Sequence, residues 1–241
     1  MKPIGRTWGW LAAAAIAGLA LMPHRADPLP GFPRVFVWAW ERPENLQSLD
    51  SRAAGVAFLA RTVFLRNGAV AVRPRLQPLR FRPGTVLMAV VRVEAEGGLP
   101  PVNQAAVVVA EPAGIPGIRA LQVDFDATRS QRGFYRELLS EVRRRMPSAM
   151  PLSMTALASW CESDRWMAGL PVAEAVPMLF RMGTNAGLTG SRDPLCASSA
   201  GVSTDEPPAA PPRGRRIYVF HPRAWSPEDL RAAVHEVSRW Q

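Results

Sequence analysis

Asp124 and Asp126 stand two residues apart at the end of a stretch in which Leu121, Val123 and Phe125 alternate with Gln122, Asp124 and Asp126. Alternation with period two sends the apolar set to one face of a β-strand and the acids to the other. On that spacing the two carboxylates share a face about 7 Å apart. Paired carboxylates suit carbohydrate chemistry, in which one protonates a leaving oxygen while another group steadies the oxocarbenium-like centre. Glu41 and Glu206 are further candidates for the acid. Trp38, Trp40 and Trp160 offer flat apolar faces for sugar rings, and Arg92, Glu94, Arg181, Asp205 and His221 offer polar contacts. The competing reading is structural: Arg92 or Arg181 neutralises the doublet as a buried ionic network, and the tryptophans are core.

These residues meet only if strand ends converge. Strand patterns cover residues 34–41, 55–65, 69–74, 85–94, 118–128, 151–161, 175–183, 201–206 and 216–222. The 55–65 and 69–74 runs flank Asn67-Gly68, a strong hairpin signal. Helical patterns fall at 102–110 and 134–143, with a short helix expected at 44–49. Ser226, Pro227, Glu228 and Asp229 read as cap, first turn and acidic start of a terminal helix. The fold expected is an α/β (β/α)8 TIM-like barrel with short or missing helices, in which the carboxyl ends of the strands ring one mouth. The alternative is an open doubly wound α/β sheet. No glycine-rich strand-to-helix turn is present, which argues against nucleotide binding, and no cofactor is expected.

Lys2 and Arg6 precede a 12-residue apolar run at 11–22, followed by Pro23, Pro28 and Pro30. Residues 1–30 are read as a signal peptide or amino-terminal anchor with a proline-rich tether, and 31–241 as one barrel domain. The protein is expected to be exported, periplasmic or envelope-associated, touching membrane only through that leader if it stays uncleaved. The partner expected is a glycan or another cell-envelope component. A net charge of +9 invites a nucleic-acid reading, but 28 of the 29 basic residues are arginines scattered along the chain, so nucleic acid is not expected as a partner. In an oxidising compartment Cys161 and Cys196 form one bridge; otherwise they are isolated thiols. His24, His221 and His235 are isolated, so no metal site is expected.

The 121–126 strand, the 135–143 helix and the strand pattern from Leu152 to Trp160 resemble a bacterial family of exported proteins, domain of unknown function 3142. The resemblance is carried by residues 118–160 and implies a barrel without an assigned activity. The same strand is similar to the chitinase-like (family 18) glycosidases and their D-x-x-D-x-D-x-E strand. Leu121, Asp124, Asp126 and Thr128 fall in that register. Two carboxylates are retained, while threonine replaces the proton-donating glutamate. The resemblance therefore implies the scaffold and a sugar-like ligand, and it counts against the family mechanism. Hydrolysis would need Asp126, Glu41 or Glu206 as donor; otherwise the barrel is a catalytically silent glycan- or protein-binding module.

Overall fold

The computed structural model describes residues 27–162, 164–181, 193–206, 208 and 212–241. In chain order the elements are β1 (Val35–Ala39), β2 (Glu44–Asn45), β3 (Gly55–Arg66), β4 (Ala69–Pro74), β5 (Leu79–Arg80), β6 (Leu87–Glu96), α1 (Val102–Ala110), β7 (Ile118–Asp124), α2 (Arg132–Arg145), β8 (Leu152–Leu157), α3 (Ala158–Glu162), β9 (Glu174–Met178), β10 (Ser199–Ser203), β11 (Arg216–Phe220) and α4 (Pro227–Ser238). Among the described residues eight parallel strands pair in the order β1-β11-β10-β9-β8-β7-β6-β3, and β1 also pairs with β3. The sheet therefore closes, and the open-sheet alternative is excluded. No helix among the described residues is long and apolar enough to cross a membrane. The leader reading lies outside the described residues over 1–26.

Closure explains why the strands are buried on both faces. On β7, Leu121 and Val123 join the outer layer beneath α2, while Gln122 and Asp124 turn inward. The interior is filled unevenly. Trp38 stacks on Phe220 at 4.4 Å and Phe36 on Tyr218 at 5.3 Å, all on β1 and β11. Small residues elsewhere make room for these rings. At Gly201 an added Cβ would lie 3.3 Å from the Phe220 ring and collide with Met178.

The amino-terminal end of the barrel holds a charged plug. Arg216 is fully buried; it donates to both carboxylate oxygens of Asp27 at 3.0 Å and to the carbonyls of Leu29 and Pro33 at 3.0 Å. Its other side lies 3.5 Å from the buried Glu174, which also accepts from Tyr218 and Ser153. Gln122 donates to Ser153 at 2.9 Å and extends the network across the interior. Residues 27–29 thus pack as part of the barrel, with Leu29 only 1% exposed.

Several elements differ from the sequence expectation: β7 ends at Asp124, so Asp126 lies just beyond the strand, and β9 ends at Met178, short of Arg181. Residues 44–49 form the short strand β2 and a turn rather than a helix, because Glu44 and Asn45 pair with Leu79 and Arg80. The strand read through Cys161 ends at Leu157, and Trp160 and Cys161 lie on α3. Other expectations hold. Asn67 and Gly68 take φ of 48° and 81°, as the two-residue turn joining β3 to antiparallel β4 requires. Ser226 accepts the N–H of Asp229 at 3.0 Å as the cap of α4.

Cys161 and Cys196 form a disulfide across 35 residues of sequence, tying α3 to the turn before β10. Closing a loop of that length removes unfolded-state entropy equivalent to about 3–4 kcal/mol. The double variant Cys161→Ala/Cys196→Ala is expected to lose up to that amount in denaturant unfolding, and an unchanged midpoint would refute the assignment of stability to this bridge.

A candidate site at the barrel mouth

The inward-facing residues near the carboxyl ends of four consecutive barrel strands are Thr62 on β3, Arg92 on β6, Asp124 on β7 and Thr155 on β8. The register pairs Thr62 with Arg92 and Arg92 with Asp124. Thr155 donates to Asp124 Oδ1 at 2.8 Å, and Arg92 Nη1 donates to Asp124 Oδ2 at 2.9 Å. Both oxygens of this carboxylate are therefore engaged. Arg92 also lies 3.8 Å from Asp126 and 3.3 Å from Glu94. One guanidinium serves three carboxylates.

This imbalance sets the electrostatics. Burial alone would lower the Arg92 pKa, but Asp124, then Asp126 and Glu94, outweigh it and the net direction is upward. The Asp126 carboxyl is pushed above its usual range by burial and then by Asp124, against the pull of Arg92. Asp126 remains open, its side chain 58% exposed. Its proton is held more tightly than that of an isolated aspartate, as a general acid's must be.

Beside this cluster lies an open cleft of about 480 Å³ lined by Trp40, Glu41, Thr62, Arg73, Arg92 and Glu94. Trp40 is half-buried at the rim and tilted against Trp38 at 5.6 Å. Glu41 lies 3.2 Å from Arg73, which reaches in from β4. At the cleft floor the Thr62 hydroxyl is buried and makes no hydrogen bond.

The remaining predicted residues go elsewhere. Trp38 is fully enclosed and presents no face to a ligand, because the closed barrel turns its side of β1 into core. Trp160 is 2% exposed on α3, packed edge-on to Trp166 at 4.9 Å in the outer layer. Neither can be a sugar platform. His221 is also drawn away, stacked on Trp225 at 4.6 Å. Glu206 accepts the backbone N–H of Arg181 at 2.9 Å beyond β9 and β10, and Asp205 accepts from Ser203. Those three line neither the cleft nor the Arg92 cluster. Thr128 opens the turn before α2, where its N–H donates to Gln131 Oε1 at 2.9 Å. Reading the strand ends missed Thr62, Arg73 and Thr155. Thr155 shares the period-two face of Ser153 on β8, which was the available signal.

Fold and mouth together define a TIM-like parallel barrel with an acidic, arginine-anchored opening. Among solved structures the chain is similar to a Streptomyces coelicolor protein assigned as chitinase A, with a TM-score of 0.53 and 11% identity over 86% of this chain and 96% of that one. It is also similar to the Bacillus cereus spore cortex-lytic enzyme SleL, with a TM-score of 0.40 and 19% identity over 65% of this chain and 44% of that one. At these identities the first likeness is one of fold. No family model matches the chain, so its resemblance to domain of unknown function 3142 rests on the quoted residues alone. No curated protein matches it either.

Proposed function

We propose that this chain is an exported, glycosidase-like barrel whose mouth binds a carbohydrate without hydrolysing it by the family 18 route. The observation that carries this reading is the division of the mouth into an open half and a locked half. Asp124 has both oxygens committed to Arg92 and Thr155, and position 128 is a threonine bound into the opening of a helix. The neighbouring cleft stays open, lined by Trp40, Glu41 and Glu94 with Thr62 buried at its floor. An apolar ring beside acceptors and donors is the pattern that recognises a pyranose, which has an apolar face and a rim of hydroxyls. The Cys161–Cys196 disulfide and the apolar run at 11–22 support export. A barrel related in fold to a protein assigned as a chitinase supports the choice of carbohydrate over other ligands.

The test is a titration of the protein with soluble chito-oligosaccharides and peptidoglycan fragments, read by tryptophan fluorescence, alongside a reducing-sugar assay. Binding is expected, with Trp40→Ala weakening it about fivefold, since a ring–sugar contact of this kind contributes on the order of 1 kcal/mol. Asp126→Asn is expected to retain binding. Failure of every glycan to bind would remove the ligand class. Release of reducing ends that Asp126→Asn abolishes would make the protein a hydrolase with Asp126 as its acid, the reading that the raised Asp126 pKa favours.

A further inference from the structure

A second cavity lies on the outside of the barrel. Among the described residues no helix joins β10 to β11, so the outer face of these two strands beside α4 is left with a hollow of about 300 Å³. Its walls are apolar, formed by Val202, Val219, Ala233 and Val237. Its polar groups come from Ser203, Thr204, His221, Asp229 and Glu236. In a chain of net charge +9, the charged residues lining it are both acids.

His221 is the unusual member. It is 5% exposed, and Nδ1 lies 2.6 Å from Thr204 Oγ1. Nε2 is buried without a hydrogen-bond partner, 3.6 Å from Asp229 Oδ2. That separation is too long for a hydrogen bond. Asp229 Oδ2 accepts from Ser226 Oγ at 2.6 Å and keeps a lone pair, so one further donor at the edge of the apolar hollow could meet both it and the unpaired ring nitrogen. Burial holds the His221 pKa below its ordinary value, opposed first by Asp229 and helped by Arg223 and Arg42. The contact with Thr204 allows either tautomer, and an ammonium at Nε2 would select the one in which Nδ1 donates to Thr204 and Nε2 accepts.

We propose that this hollow binds a small primary amine carrying an apolar group, with the ammonium donating to His221 Nε2 and Asp229 and the apolar part against Val219 and Val237. A carboxylate-bearing ligand would meet two acids, and a purely apolar one would leave Nε2 unpaired. The site is separate from the mouth and does not depend on the carbohydrate reading.

The probes are benzylamine, benzyl alcohol and benzoate, titrated into the full protein and followed by amide chemical shifts around Val219 and Ala232 and by Trp240 fluorescence. Benzylamine is expected to bind with a dissociation constant of about 1 mM or tighter, about tenfold better than the alcohol, with benzoate not binding. His221→Phe keeps the stacking on Trp225 and removes the acceptor; it is expected to weaken the amine at least about tenfold. Ala232→Leu adds bulk from the exposed side of α4 and is expected to abolish binding while leaving the circular dichroism unchanged. Equal binding of all three probes, absence of any shift, or an amine affinity unaltered in Ala232→Leu would overturn the proposal. If His221→Phe does not fold, Ala232→Leu decides alone.

Discussion

Arg216→Met is expected to remove about 3–5 kcal/mol of stability at pH 7, the range for breaking a buried ion pair and leaving one charge behind. The guanidinium is completely enclosed, and Glu174, equally enclosed, lies on its other side. Burial already pushes the Glu174 carboxyl pKa up, opposed first by Arg216 and then by Tyr218, Ser199 and Ser153. Taking Arg216 away removes the largest opposing influence and drives that pKa higher still. A folded-state pKa above the unfolded one means that the proton stabilises the fold, and that this contribution fades as pH rises through the folded value. The deficit of Arg216→Met should therefore shrink on acidification and grow toward neutral pH. Adding Glu174→Gln should recover a good part of it at pH 7, because a neutral amide can replace the stranded carboxylate beside Tyr218. Denaturant unfolding of the three proteins at pH 5 and 7 checks this. A loss below about 1 kcal/mol, or one independent of Glu174, would show that the plug is not held by this pair.

The same plug shows what strand-end reasoning left unseen. Arg216 and Glu174 sit at the starts of β11 and β9, and a search aimed at the carboxyl ends of strands passes over both. The doublet strand was legible because its two side-chain sets alternate strictly, and a one-residue slip would have turned Leu121 and Val123 into the interior and Gln122 and Asp124 into the outer layer. The hairpin at Asn67-Gly68 and the capped start of α4 were legible for equally local reasons: backbone φ and orphan N–H groups. Trp38 and Trp40 were not separable by sequence. They share one face of the strand pattern at 34–41, and only barrel closure makes Trp38 core on β1 and Trp40 rim just beyond it. Trp160 was misplaced because an apolar run of strand and helix reads continuously until burial marks the break at Leu157, which is 39% exposed. The choice of Arg92 over Arg181 as the partner of the doublet needed register, since only pairing of β6 with β7 sets Arg92 opposite Asp124.

That register decides how the mouth responds to losing the guanidinium that meets three acids. Arg92→Leu is expected to cost about 1–3 kcal/mol at pH 7, as a buried Asp124 keeps Thr155 as its one side-chain donor among the described residues. The Asp126 carboxyl, already raised by burial and by Asp124, loses the one neighbour that lowered it. Its folded-state pKa rises further, so the fold gains from protonation at low pH and forfeits that gain as pH climbs through the new value. The variant should accordingly lie closest to the parent protein near pH 4 and fall away toward pH 7. Asp126→Asn in the same background should flatten that difference, because the amide carries no charge to repel Asp124. Glycan affinity should follow the opposite logic. Arg92→Leu strips a donor from the cleft wall, and Asp126→Asn cannot restore it, so stability returns in the double variant while binding does not. Recovery of both together would mean that Arg92 serves the ligand only by holding the acids in place, and loss of neither would mean that the mouth is held by its strands alone.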